Sequence, residues 1–273
     1  MERGNFLQRA MQSDRGVAPL LADAGGHSGP RRLARAARKL GLACLALLLA
    51  CALAFGLLMV ITPSPGNAGQ LASAFDRAHS AAYPGVVVPF RFATSLEATE
   101  DHRFAAEPGV DPVAVARVMY GYVRGRGDQG GATLYQQLAK MLYTPGQTGA
   151  AAEVEQIALA VKLKYTYSEP EILRLYADVA YFGHGFYGLQ SASCGYFGVS
   201  PDQMSWPQAA LLAGMVQAPT ADDPLDHPAA GLTREQHVIG RLVSVGAISQ
   251  ADAHAYLAIP LSSLLSHAGG CSR

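Results

Sequence analysis

Between Leu40 and Ile61 the sequence carries no charged side chain. At about 1.5 Å of rise per helical residue the run spans about 33 Å, enough to cross a hydrocarbon core of about 30 Å. All of its faces are apolar, whereas a helix at the surface of a soluble core keeps one polar side. Arg31, Arg32, Arg35, Arg38 and Lys39 stand just before it. Positive charge ahead of a span predicts a cytoplasmic N-terminus, with everything after the span on the outer face. The competing reading is a cleaved signal peptide, but the run is too long for the usual apolar core of one, and a long arm precedes it. The chain therefore divides into a flexible cytoplasmic arm with a basic flank (1–39), a membrane anchor (40–62), one folded domain (67–262) and a short tail (263–273). The break at Pro63–Gly66 separates anchor from domain.

Positive and negative side chains balance at 21 each, so no whole-chain field points to nucleic acid. After Gly66 the apolar residues recur mostly at three-and-four spacing, which predicts helices over Val113–Val123, Thr133–Tyr143, Ala151–Tyr167, Pro170–Ala177, Gln208–Val216 and Glu235–Val245. Asp202 and Ser205 read as start signals and Gly246 as a stop. The strand signal is confined to Val86–Val88. The fold class is mainly α. Cys44 and Cys51 fall inside the span and read as packing residues. Cys194 and Cys271 lie on the side where disulfides form. Cys194 sits in a segment that reads as core helix and Cys271 is almost at the terminus, so a bridge between them is not favoured. No Cys or His spacing suggests a zinc site.

Two stretches carry chemistry. Glu100-Asp101-His102-Arg103-Phe104 sets an acidic pair on an apolar background, and a carboxylate can accept a proton. Gly130-Gly131-Ala132-Thr133 then opens a helix that carries Gln136, Gln137 and Lys140. A helix N-terminus with a lysine nearby suits phosphate.

These residues resemble the peptidoglycan glycosyltransferases (glycosyltransferase family 51). Glu100 to Gly109 match the family pattern E-D-x-x-F-x-x-H-x-G except at Glu107. Gly130 to Lys140 match G-G-S-T-x-T-Q-Q-L-A-K except at Ala132 and Tyr135. The resemblance implies a lysozyme-like, two-lobed helical domain with a cleft between the lobes. It also implies roles. Glu100 is the general base that takes the proton of a sugar 4-hydroxyl, and Asp101 orients the site. Phe104 supplies part of an apolar wall that raises the Glu100 pKa. Thr133, Gln137 and Lys140, at i, i+4 and i+7, hold the donor diphosphate. Arg117, Arg124 and Arg126, interleaved with Tyr120 and Tyr122, suit either a surface that meets lipid headgroups, as the equivalent family region does, or the basic edge of an ordinary amphipathic helix.

The third family motif, about R-K-x-x-E, falls on Ala152, Glu153 and Gln156. Two cations and a carboxylate are replaced. Gln156 keeps hydrogen-bonding capacity without charge. Glu153 is the better candidate to stand in for the carboxylate, and Lys162 and Lys164 for the cations. Tyr181 to Gly188, Tyr196-Phe197-Gly198 and Gln217-Ala218-Pro219 match later family segments that build the fold. The similarity covers about Val86 to Ala258, and nothing after it is long enough for a transpeptidase domain.

The resulting expectation is a single-pass enzyme of the bacterial inner membrane, its domain periplasmic, that polymerises lipid II into glycan strands. Its partners are lipid II, the growing strand, membrane lipids and other cell-wall synthesis proteins. The resemblance also brings a divalent cation (Mg or Mn) at the diphosphate, with less to hold it once the second Glu is gone. The rival expectation, motivated by Ala152, Glu153, Gln156 and Glu107, is a catalytically impaired relative that binds lipid II, glycan or an envelope-assembly partner. A lytic enzyme is a third reading, disfavoured because cleavage of existing glycan needs no diphosphate site.

Overall fold

The computed structural model describes residues 30–81, 87–111, 120, 124, 131–265 and 271. The expected arm before Pro30 and the helix over Val113–Val123 lie outside them, except for Tyr120. So do Arg117, Arg126 and Gly130. The chain forms two compact units, Met1–Ala54 and Phe55–Arg273.

Helix α1 runs from Pro30 to Ile61 and is long and apolar enough to cross a membrane. Leu40, Leu47, Leu48 and Leu53 are exposed along it, as side chains facing lipid would be. Cys44 and Cys51 are exposed on the same helix, so neither packs into a protein core.

The second unit is built of helices, and among the described residues its β structure is one isolated bridge, Tyr181 to Tyr187. Val87 and Val88 form no strand, and Val86 lies outside the described residues. After a 3-10 turn at Pro65–Asn67 come α2 (Ala68–His79), α3 (Phe90–Glu100), α4 (Leu134–Tyr143), α5 (Ala150–Thr166), α6 (Glu169–Val179) and α7 (Leu189–Phe197). Then follow α8 (Trp206–Met215), α9 (Pro228–Ser244), α10 (Gln250–Leu257) and α11 (Leu261–Leu264). The starts are chemical. Thr133, Ser205 and Ser249 each accept a hydrogen bond from the backbone N–H three residues on, and the residue there bonds back to the cap. That satisfies two of the donors a helix start leaves free. Helix α9 begins seven residues before the expected Glu235, with Pro228 at its first turn, where a missing N–H costs nothing.

The helices sort into two packing groups. In one, α8 is buried on nearly every face, from Ala209 to Met215, between α3 and α9. In the other, α4 packs on α5 and α6, and α2 on α6. This is the mainly α, two-lobed arrangement the resemblance implied. The start of the domain is tied down by polar contacts. Tyr143 and Tyr167 both donate to the Pro65 carbonyl at 2.9 Å. Lys162 Nζ donates to the Thr62 carbonyl at 2.7 Å and to that of Pro63 at 3.1 Å, a cation at the C-terminal end of α1.

One expectation about covalent structure is corrected: Cys194 and Cys271 form a disulfide. Cys194 is on the half-buried side of α7, while Ala192, Ser193, Tyr196 and Phe197 face inward. Apolar neighbours in sequence had suggested a core position. The helical turn of about 100° per residue puts Cys194 on the outer side, within reach of the returning C-terminal segment.

Candidate active site

Glu100 is the last residue of α3, and α3 ends because Asp101 leaves helical geometry at φ −155°. The residues from Asp101 to Gly109 follow as successive turns rather than a continued helix. Phe104 lies in these turns and not on α3. It is buried and stacks on Tyr135 of α4, ring centroids 4.8 Å apart.

The Glu100 carboxylate meets the other packing group. Gln137 Nε2 of α4 donates to Glu100 Oε2 at 3.1 Å and approaches the Ala132 carbonyl at 3.3 Å. The other end of the same amide, Oε1, accepts from the Tyr176 hydroxyl of α6 at 2.8 Å. Burial raises the Glu100 pKa above its ordinary value, and Asp101 adds to the rise. The Gln137 hydrogen bond and the charge of Arg234 on α9 oppose it. The outcome is a desolvated carboxylate, a stronger base than free Glu, held where the two helix groups meet.

Asp101 is buried, and its Oδ2 accepts from the backbone N–H of Leu134, the first residue of α4, at 3.0 Å. A carboxylate here complements the positive end of the helix. Thr133 is also buried. Its hydroxyl caps α4 through Gln136 at 3.2 Å and donates to the Gly109 carbonyl at 2.8 Å. Gly109 holds φ +89°, and a Cβ there would lie 2.6 Å from the Ala160 carbonyl oxygen, so glycine fits this close approach of turn and α5. The three residues expected to share one helix face thus take three positions. Thr133 anchors the helix start, Gln137 faces Glu100, and Lys140 is exposed in the last turn of α4. The start of α4 faces a carboxylate, and the lysine stands about 10 Å along the axis from it.

Glu107, which replaces the family's histidine, is buried and shares a hydrogen bond with the carboxyl of Asp101, with no N–H donor to either of its oxygens among the described residues. Burial first, then the charge of Asp101 and the hydrogen bond to its carboxyl, with a smaller push from Asp111, raise its pKa to about 8. At neutral pH it is mostly protonated, so the exchange adds little negative charge. Arg103 pairs with Asp111 beside it.

In the third motif Ala152 and Gln156 are buried and Glu153 is exposed. Gln156 Nε2 donates to the hydroxyl of Thr144, the C-cap of α4, at 2.8 Å. The two lysines expected to stand in for the lost cations are engaged elsewhere. Lys162 binds the end of α1, and Lys164 binds the Ala105 carbonyl and Glu169. Arg234 is the cation whose charge reaches Glu100. It binds the Gly214 carbonyl, Gln217 and Asp222.

The donors around Gln156 do not fit a metal site, because the position offers an amide already directed at Thr144 and no carboxylate. Elsewhere, His184, Asp223 and Asp226 gather their ligand atoms within 4.8 Å of one another. His184 Nδ1 lies 3.3 Å from Asp223 Oδ2, so the trio reads as a hydrogen-bonded tie between two loops. Tyr176 and Arg234 were missed as site residues. No local signal marks Tyr176, because its burial and its partner arise only from the packing of α6 on α4.

A family model described as Transglycosylase matches residues 68–243. Penicillin-binding protein 1A of Aquifex aeolicus is 36% identical over 163 residues, which is 59% of this chain and 22% of that protein. Penicillin-binding protein 1A of Streptococcus pneumoniae is 34% identical over 166 residues, 59% of this chain and 23% of that one. The "Putative transglycosylase H16_A0665" of Cupriavidus necator is 29% identical over 174 residues, 64% of this chain and 75% of that one. The chain thus spans less than a quarter of the length of the two penicillin-binding proteins.

Proposed function

Because the chain belongs to the transglycosylase family, we propose that it polymerises lipid II into glycan strands at the outer face of the cytoplasmic membrane. The observation that carries this reading is the desolvated Glu100 carboxylate, held by Gln137 at the junction of the two helix groups. Glu100 accepts the proton of the incoming sugar's 4-hydroxyl. That oxygen forms a bond to the anomeric carbon of the growing strand as the bond from that carbon to the diphosphate breaks. Direct displacement inverts the anomeric centre. Lys140 is the exposed cation offered to the departing diphosphate. Asp101 fixes the relation of α3 to α4, and no step runs through a metal. Helix α1 supports a single-pass anchor, with the basic residues before it on the cytoplasmic side. Glycan formation from purified lipid II by the full-length protein in detergent tests the reading, with Glu100→Gln as control. Polymer from the wild type and none from the variant supports it.

A second reading has its own observation. Gln156 is committed to Thr144 and cannot ionise, which favours a relative that binds lipid II or glycan without polymerising it. Folded wild-type protein that binds lipid II and makes no polymer supports this reading. In that case Ala152→Arg with Gln156→Glu is expected to restore polymerisation, and failure to restore it places the defect elsewhere.

A further inference from the structure

Tyr176 belongs to α6 and lies on the far side of Gln137 from Glu100. We propose that Tyr176 is a positioning residue for the proton acceptor, holding the Gln137 amide so that its N–H end faces the Glu100 carboxylate. This rests on the reading of Glu100 as the base.

An amide has one donating and one accepting end, and a carboxylate only accepts. Both groups near Gln137 Nε2, the Glu100 carboxylate and the Ala132 carbonyl, are acceptors. A flipped amide would present oxygen to both. The hydroxyl of Tyr176 supplies the donor that Oε1 needs, at 2.8 Å. Burial and the charge of Glu100 push the Tyr176 pKa well above its ordinary value, so the phenol keeps its proton and remains a donor. Without that hydroxyl, Oε1 becomes a poorly solvated acceptor with no partner, and the amide gains reason to rotate or withdraw. Glu100 then loses the hydrogen bond that favours its charged form. The other charged groups that act on Glu100 are Asp101 on its own turn, which raises its pKa, and Arg234 of α9, which lowers it. Neither group touches the Tyr176 hydroxyl or the Gln137 amide among the hydrogen bonds described.

Tyr176→Phe keeps the ring and removes the hydroxyl, and Gln137→Leu removes the amide. Both are made in full-length protein in detergent micelles. The Glu100 side-chain carboxyl is followed by 13C NMR against pH, with Glu100→Gln identifying its signal. The expected result is a Glu100 midpoint raised by about one pH unit in each variant, with the double variant no further shifted than either. In the polymerisation assay the acid limb moves up by the same amount, kcat falls by about tenfold or more, and KM for lipid II stays within about twofold. A Glu100 midpoint unchanged in Tyr176→Phe, or additive shifts in the double variant, overturns the proposal. The two claims separate cleanly. An NMR shift in a protein that makes no polymer leaves the positioning standing and removes the enzymatic reading. Polymer formation with an unmoved midpoint does the reverse.

Discussion

Glu107 shows how a residue that looks wrong in sequence can be neutral in place. Read along the chain, it exchanges a family histidine for an anion near the base. Buried beside Asp101 and Asp111, it holds its proton to about pH 8, against 4.5 for an ordinary glutamate. The folded state therefore binds a proton that the unfolded chain has released between those values. Its contribution favours folding most below the lower value and is lost as pH rises through the upper one. Glu107→Gln should flatten the decline of the thermal midpoint between about pH 5 and pH 8, and an unchanged slope would show that Glu107 is ionised when folded. At this scale the sequence made Glu100 and Gln137 legible, because short motifs name residue types. The partners of Gln137 and Gln156 were not legible, since they come from other elements, at Tyr176 of α6, 39 positions away, and at Thr144, the C-cap of α4, 12 positions away.

At the scale of the element, α4 is held at both ends. Its N-terminus is held from outside by Asp101 and from within by Thr133, and its C-cap Thr144 is held by Gln156. Asp101→Ala strips the Leu134 N–H of its buried acceptor and should cost about 1–2 kcal/mol, read as a lower unfolding midpoint. Asp101→Asn keeps an oxygen there and should lose less. Equal losses would mean that the charge, not the acceptor, matters. The helices themselves were largely visible in the sequence, since α4, α5, α6 and α8 follow apolar spacing to within a few residues of their ends. The start of α9 was hidden, because Gly231 interrupts the period. In the structure that glycine is buried against Pro224, where a Cβ would stand 3.0 Å from the proline side chain.

Over the whole molecule, two features shape the second unit, Phe55–Arg273. One is the disulfide, which closes a sequence separation of 77 residues from Cys194 to Cys271. A loop of that length restricts the unfolded chain by roughly 4 kcal/mol in the entropic account. Cys271→Ser is therefore expected to lower stability by about 2–4 kcal/mol, and a midpoint equal to that of the oxidised wild type would contradict it. The other is the pairing of helix groups, with Glu100 supplied by one and Gln137 and Tyr176 by the other. No periodicity reports such pairing, so the two-lobed form came from the resemblance alone. The most direct test of that arrangement as a catalytic one is lipid II polymerisation by wild type and Glu100→Gln across pH. The expected result is polymer from the wild type only, with an acid limb displaced upward from the ordinary glutamate range. Equal polymer from both proteins would contradict the assignment of Glu100 as the base.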